Sequence, residues 1–219
     1  MIKEEYLTKE NHLEKNKEWK NELHKIRGYE KFRLDIEKSA LLVLDMQNVF
    51  LSPSSHAYIP SSSVIIPIIN SLIRYFKNHG RPIIFTRHIT SEDKKDLMQK
   101  WWKSPIYLDD PLSSISTDLH IGSSEILIKN KYSAFINTNL EQILKKNSIK
   151  QVLITGVMSH LCCESTAREA FMRNFKVFYI IDGTATYTEL LHRGTMFSLA
   201  HGFAECLTAK DVLGEYNVK

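Results

Sequence analysis

Cysteine is scarce in this 219-residue chain, which contains only three, with Cys162 and Cys163 adjacent. So few thiols exclude a small secreted domain held together by disulfides. An odd cysteine count is typical of proteins kept in a reducing compartment. The amino terminus is polar and densely charged, unlike a secretory signal. We therefore expect a cytoplasmic protein.

Long apolar and long basic runs are also missing. No stretch approaches the roughly 18 uninterrupted apolar residues of a membrane span. The 29 basic and 25 acidic side chains alternate, leaving a net charge of only +4, so nucleic acid is not an expected partner. Gly-rich phosphate cradles, GxSxG and HExxH motifs do not occur, which argues against the common nucleotide, serine-hydrolase and zinc-protease sites.

What the chain does contain is a series of short apolar runs separated by helical patterns. These runs are typical of strands covered on both faces, and their alternation with helices predicts an α/β fold. We expect a three-layer α/β/α sandwich with a mostly parallel central sheet, formed by a single domain over 35–219. The predicted strands are ALLVLD, PIIFTRH, EILIK, QVLITG, KVFYIID and 204–207; the predicted helices are 61–78, a short one after a Thr138/Glu141 capping box, 161–173 and 189–200.

Residues 1–34 differ in being polar and rich in both signs of charge. Asn11 and Glu14 resemble a capping box, and an apolar stripe follows at near-helical spacing. We predict a helical arm that packs on the domain or on a second subunit; a partly mobile tail is the alternative. The predicted stripe consists of Leu13, Trp19, Leu23 and Ile26.

Three reactive side chains stand where predicted strands end. In parallel sheets ligands bind beyond the carboxyl ends of the strands, so Asp45, Lys129 and Cys162 are expected to converge there. Cys162 falls in the first turn of a predicted helix, where free amides and the helix dipole favour a thiolate. Each residue alone has an ordinary structural explanation: a turn cap for Asp45, a solvated strand end for Lys129 and core packing for Cys162.

The segments LLVLDMQNVF, KNKYSAF and TGVMSHLCCESTAREAF resemble the three signature regions of the isochorismatase-like cysteine hydrolases, which include nicotinamidases and carbamoylsarcosine amidohydrolases. The resemblance covers about 38–210. It implies a catalytic set of Asp45, Lys129 and nucleophilic Cys162, with Cys163 assigned to packing. It also implies a cis peptide just before Met158, an oxyanion hole made by the amides of Met158 and Cys162, and self-association into a homo-oligomer.

Two departures from the family pattern matter. Nicotinamidases hold a metal with an Asp-x-His arrangement, whereas this chain has SPSSHAYIPSSS, with only His56. No catalytic metal and no cofactor are therefore expected, and nicotinamide is in doubt as a substrate. The run GVMSHLCC followed by AFMRN, including His160, resembles true isochorismatases, but those enzymes have Gly in place of Cys162.

These features predict a hydrolase that cleaves a C–N bond of a small molecule through a cysteine thioester. Two alternatives stay open: isochorismatase-type vinyl-ether hydrolysis without a covalent intermediate, and a catalytically silent binding protein. Aromatic residues near the motifs predict an aromatic pocket, although core packing explains them equally well, and Arg87 or His88 is a candidate anchor for a substrate carboxylate. The predicted substrate-binding residues are Gln47, Phe50, Arg87, Trp101, Tyr132, Phe135 and His160, with Trp102 a further pocket aromatic.

Overall fold

The computed structural model describes residues 2–27 and 31–214. Residue 1 and residues 28–30 of the predicted arm lie outside this part of the chain, and so do residues 215–219 of the predicted domain. The strands are β1 (Ser39–Leu44), β2 (Ile83–His88), β3 (Glu125–Lys129), β4 (Gln151–Val157), β5 (Lys176–Ala185) and β6 (Ala204–Leu207). The helices are α1 (His12–Arg27), α2 (Asn48–Leu51), α3 (Ser62–Asn78), α4 (Leu97–Trp101), α5 (Leu140–Lys146), α6 (Glu164–Met172), α7 (Glu189–Gly202) and α8 (Ala209–Leu213).

All six strands form one parallel sheet in the order β3-β2-β1-β4-β5-β6. The connections through α3 and α6 run across the sheet in opposite directions, and right-handed crossovers then place these helices on opposite faces. The predicted three-layer α/β/α sandwich is confirmed. The strand order reverses between β1 and β4, and a crevice at such a switch point is where ligands bind in open α/β sheets.

Close contact between β1 and β4 depends on Gly156. Its φ of +105° is rarely adopted by L side chains, and an added Cβ would lie 2.1 Å from the carbonyl oxygen of Leu44. Only glycine therefore lets the two central strands meet one residue before Asp45. The ends of both strands are fully buried, which places the switch point inside the molecule.

The amino-terminal arm packs on the domain of its own chain. Trp19 is fully buried and Leu23 nearly so, with α1 lying against α7. Leu13 and Ile26, predicted on the same stripe, are 55% and 43% exposed. At 100° per residue Leu13 lies about 120° around the helix from Trp19, so the two cannot share a buried face. The Asn11 side chain bonds Thr8 and Tyr6 instead of forming the predicted capping box.

The start of α5 differs from prediction, whereas that of α3 agrees to within one residue. No capping box starts α5, because the Thr138 hydroxyl donates to the carbonyl of Ala134 and accepts from the amide of Leu140. Helix α3, predicted over 61–78, spans Ser62–Asn78, with Pro67 inside it. Pro67 lies in its second turn, so only the one intrahelical bond to the carbonyl of Ser63 is lost. Among the described helices, none is both long and apolar enough to span a membrane.

Candidate active site

Three buried side chains meet at the carboxyl ends of the central strands. The ammonium Nζ of Lys129 lies 2.7 Å from Oδ2 of Asp45 and 3.3 Å from Sγ of Cys162. Asp45 follows β1, Cys162 follows β4, and Lys129 reaches from β3 past β2 to join them. A carboxylate, an ammonium and a thiol thus converge at the point where the strand order reverses.

Asp45 is held from several sides. Its φ of +50° is unusual for a residue other than glycine. The Thr86 hydroxyl donates to Oδ1 of Asp45 at 2.6 Å and accepts from the Asp45 amide at 3.1 Å. Burial by itself would raise the pKa of Asp45, but the ammonium of Lys129 and the Thr86 hydroxyl hold that pKa below its usual range. The carboxylate is therefore ionised at neutral pH.

Lys129 is charged although it is buried. Burial opposes the charge, but the carboxylate of Asp45 raises the pKa of Lys129 above its ordinary value. Its ammonium also donates to the carbonyl of Lys131 at 2.9 Å, and Nδ1 of His88 lies 3.5 Å away. Burial and the neighbouring ammonium lower the pKa of His88 to about 4. His88 is therefore neutral at pH 7.

Cys162 lies in a π-helical turn, Ser159–Cys163, that leads into α6, where the sequence predicted an ordinary first helical turn. Cys162 is 8% exposed and faces a cavity. Burial first, and the Asp45 carboxylate next to it, raise the pKa of Cys162 to about 12, although Lys129 opposes them. The resting group is a thiol, because the loss of solvent outweighs the neighbouring ammonium and the start of the helix, which by themselves favour a thiolate.

The backbone before Cys162 leaves a donor available. The peptide bond between Val157 and Met158 is cis, as the resemblance implies. The carbonyl of Met158 accepts from the amides of Leu161 and Cys163. Within the described part of the chain, no acceptor pairs with the Met158 amide itself. An oxyanion next to Cys162 would find this donor unused.

A cavity of about 280 Å³ opens onto Cys162. Phe50 and Tyr132, both predicted to bind substrate, line it together with Trp102 and Tyr187. The indole Nε1 of Trp102 donates to the hydroxyl of Tyr132 at 2.8 Å, which fixes the two rings together. The predicted aromatic pocket is therefore present in the structure.

Two of the predicted pocket aromatics lie elsewhere. Trp101 is 75% exposed and does not line the cavity, because the short helix α4 turns its neighbour Trp102 inward. Phe135 packs in the core, where its ring stacks on Phe175 with centroids 6.0 Å apart. Adjacent aromatics of equal hydrophobicity gave no sequence signal for which of them would face the pocket.

Gln47 and Arg87, two polar residues predicted to bind substrate, do not line the cavity but bond to the backbone around it. The Gln47 amide donates to the carbonyls of His88 and Ser113, and its oxygen accepts from the His88 amide. The Arg87 guanidinium donates to the carbonyls of Leu108 and Ser113. These partners occupy both side chains, and they tie the end of β2 to the 108–113 segment.

His160 is similarly engaged, since its Nδ1 lies 2.7 Å from the hydroxyl of Thr186 and it does not line the cavity. Sequence reasoning missed Thr86, which had no motif of its own, and Lys3, which comes from the arm and lines the cavity. Both are brought to the site by packing between segments distant in the sequence.

The residues present do not fit a metal centre. In the described part of the chain, no three His, Cys, Asp or Glu side chains come together as a metal site requires. His56 and His88 both line the cavity, but no third ligand accompanies them among the residues that the structure describes. The absence of a catalytic metal remains a prediction.

The Isochorismatase domain family model matches residues 39–211. The chain belongs to the isochorismatase family and is an enzyme of the cysteine hydrolase superfamily. It is 39% identical over 174 residues to nicotinamidase 3 of Arabidopsis thaliana, covering 76% of this chain and 82% of that protein. It is also 31% identical over 159 residues to enterobactin synthase component B of Escherichia coli, covering 71% of this chain but only 55% of that protein.

Solved structures agree with this assignment. A cysteine hydrolase from Pseudomonas syringae superposes with a TM-score of 0.79 at 25% identity, covering 84% of this chain and 94% of that one. The pyrazinamidase of Pyrococcus horikoshii, solved in complex with zinc, superposes with a TM-score of 0.69 at 26% identity, covering 78% of this chain and 99% of that one.

Proposed function

We propose that this hydrolase cleaves the C–N bond of a small amide through a thioester on Cys162. The observation that carries the proposal is the buried contact of Lys129 with both Asp45 and Cys162, at 2.7 and 3.3 Å. The similarity to a nicotinamidase along most of the chain supports amide chemistry.

The first half of the reaction forms the thioester. Asp45 takes the proton from the Cys162 thiol, and the resulting thiolate adds to the amide carbonyl carbon. The amides of Met158 and Cys162 stabilise the oxyanion of the tetrahedral intermediate. Protonated Asp45 then gives its proton to the nitrogen, the C–N bond breaks, and ammonia or an amine leaves.

The second half hydrolyses the thioester. Asp45, again ionised, removes a proton from a water molecule, and the hydroxide adds to the thioester carbonyl. When the C–S bond breaks, the Cys162 sulfur recovers a proton from Asp45 and the carboxylic acid is released. Lys129 keeps Asp45 ionised between proton transfers and offsets the negative charge that passes among the three groups.

Vinyl-ether hydrolysis is the competing function, because relatives at 31% identity include an isochorismatase of Bacillus subtilis. The chain spans about half the length of that protein and of enterobactin synthase component B. A vinyl ether must be protonated on carbon, so Asp45 would have to act as an acid at neutral pH. The lowered pKa of Asp45 disfavours that role.

The test compares the effects of replacing two neighbouring cysteines, Cys162 and Cys163. Ammonia release from nicotinamide, benzamide and carbamoyl compounds, and pyruvate release from isochorismate, are measured for the wild type, Cys162→Ala and the matched control Cys163→Ala. We expect amide turnover that Cys162→Ala abolishes and Cys163→Ala largely retains. Adding hydroxylamine should divert product to the hydroxamate, which reports the acyl-enzyme. Amide turnover by Cys162→Ala, or activity on isochorismate alone, would overturn the proposal.

A further inference from the structure

The charges lining the cavity are one-sided. Within the described part of the chain, Lys3 and Lys103 line it and no Asp or Glu does. The carboxylate of Asp45 lies behind Cys162 and is neutralised by Lys129. Since His88 is neutral, the two outer lysines give the cavity a positive potential, which attracts an anion.

Lys3 reaches the cavity because the start of the arm is tied to its rim. The Glu4 amide donates to the carbonyl of Tyr187 at 2.7 Å, and the Leu7 amide donates to the Ser61 hydroxyl at 3.1 Å. These bonds on either side of a short segment fix its path. The family match covers 39–211, so Lys3 lies outside the family domain.

The Lys3 ammonium is held without being neutralised. It donates to the carbonyl of His56 at 2.6 Å and lies 5.0 Å from the centroid of the Tyr187 ring. Among the described residues, no carboxylate pairs with it. An ammonium has three donors, so two remain for a ligand in the cavity. Partial burial lowers the pKa of Lys3, as expected for a cation that lacks an anionic partner.

We propose that Lys3 binds a carboxylate of the substrate, so that the amide cleaved by Cys162 belongs to a small molecule that also carries an acid group. This inference rests on the proposed amidase function. A charge-assisted bond from an ammonium is the stronger kind of hydrogen bond. Of the two anchors predicted from the sequence, Arg87 does not line the cavity and donates to the carbonyls of Leu108 and Ser113, whereas His88 lines it but is neutral.

The test uses two amides that differ at one group: 3-carbamoylbenzoate, which carries a carboxylate, and its neutral methyl ester. We expect wild-type kcat/KM to be about 10- to 100-fold higher for the acid, the range given by one hydrogen bond to a charged group. In Lys3→Met the ratio of acid to ester should fall towards one, mainly through KM for the acid, and Lys3→Arg should restore much of it. Lys9→Met, an exposed arm lysine, is the matched control and should keep the wild-type ratio.

Calorimetric binding of 3-carbamoylbenzoate to wild type and Lys3→Met separates failure of this inference from failure of the proposed function. Cleavage of both amides with equal kcat/KM, or a ratio that Lys3→Met leaves unchanged, overturns the Lys3 site and leaves the amidase standing. If neither amide is cleaved but the acid binds about tenfold more weakly to Lys3→Met, the carboxylate site is supported and the amidase is not. If neither amide is cleaved, and the acid binds equally well to both proteins or to neither, the Lys3 site is overturned as well.

Discussion

The ionisation of three side chains governs the chemistry of the site. In the resting protein Asp45 is negative, Lys129 is positive and the Cys162 thiol is neutral, because burial penalises an unpaired charge more than a paired one. The nucleophile is therefore generated only as its proton moves to Asp45. This arrangement makes the carboxylate and the ammonium parts of one unit.

The first prediction tests that unit. Asp45→Asn should reduce kcat/KM by at least the roughly 10²–10⁴-fold typical of a lost general base. Lys129→Met should also be severe, because it removes the charge that keeps Asp45 ionised. The double variant should be far less than multiplicatively worse, since residues that act together are non-additive. Steady-state kinetics on all four proteins provides the measurement, and strictly multiplicative losses would contradict the shared-site mechanism.

The second prediction concerns metals. Chelators should leave amide hydrolysis unchanged, because the described residues offer no set of three ligands around the cavity. Activity is measured after dialysis against EDTA and again after adding zinc or manganese. Loss in EDTA followed by recovery with either ion would contradict the prediction.

Among the structural elements, the arm has the least predictable role. Helix α1 lies on α7, and Trp19 fills the contact: its Nε1 donates to Glu189 at 3.2 Å and its ring lies 4.9 Å from that of His192. The same arm carries Lys3 to the cavity. Docking of the arm is therefore expected to matter for both stability and substrate binding. The boundary between the arm and the domain, at residues 34 and 35, remains a prediction.

The third prediction separates the buried face of the arm from its exposed face. Trp19→Ala should lower the free energy of unfolding by about 3–5 kcal/mol, because it empties a fully buried site. Leu13→Ala, on the exposed face of the same helix, should change it by less than about 0.5 kcal/mol. Urea unfolding followed by circular dichroism measures both. Equal effects would mean that the arm is not docked as the structure describes.

The fourth prediction is a pH dependence of stability. Burial, with a smaller contribution from Asp211, raises the pKa of Asp182 from 3.8 to about 6, even though the Ala209 amide donates to it. Between these values the folded protein holds a proton that the unfolded chain releases. The contribution of this group to stability, on the order of 3 kcal/mol, is therefore lost as pH rises from about 4 to 6.

Replacing the carboxyl group tests the assignment. Asp182→Asn cannot titrate, so unfolding free energies measured at several pH values should show a weaker decline across that window than in the wild type. The carbonyl oxygen of the new amide can still accept from the Ala209 amide, and a flip of the Asn16 side chain lets its oxygen, which has no partner in the wild type, accept from the new NH2 group. An identical pH dependence in both proteins would assign the decline to other groups.

At the scale of the whole molecule, the exposed surface retains large apolar side chains. Leu190, Leu97, Trp101 and Met172 are between 68% and 80% exposed. The apolar face of the arm packs on α7, so the arm does not cover these exposed residues. Scattered exposed apolar residues are common on monomers, so exposure alone does not decide the oligomeric state.

The fifth prediction is self-association, which the family resemblance implies. Light scattering at micromolar concentration should give a mass that is a multiple of the 25.4 kDa chain. The masses of Trp101→Ser and Leu190→Ser are compared with that of the wild type. If either side chain is buried between subunits, its replacement should lower the measured mass. A single 25.4 kDa species in the wild type would contradict the prediction.

The local pattern of the sequence predicts the central sheet and the convergence of Asp45, Lys129 and Cys162. Apolar runs such as ALLVLD and QVLITG indicate buried parallel strands, and parallel strands end at one edge, so residues just after them must meet. It also gave the position of α7 to within two residues, because a helix pattern bounded by Thr188 and Gly202 is a local signal.

Tertiary structure alone decided the properties that depend on neighbours distant in the chain. The Cys162 side chain is a thiol because of what surrounds it, while its position in the sequence favoured a thiolate. Trp102, and not Trp101, faces the cavity because of the way that α4 packs. Lys3 reaches the cavity because the arm folds back over more than 180 residues of chain to Tyr187. Local patterns fix where strands and helices form, whereas burial and charge depend on which segments pack together.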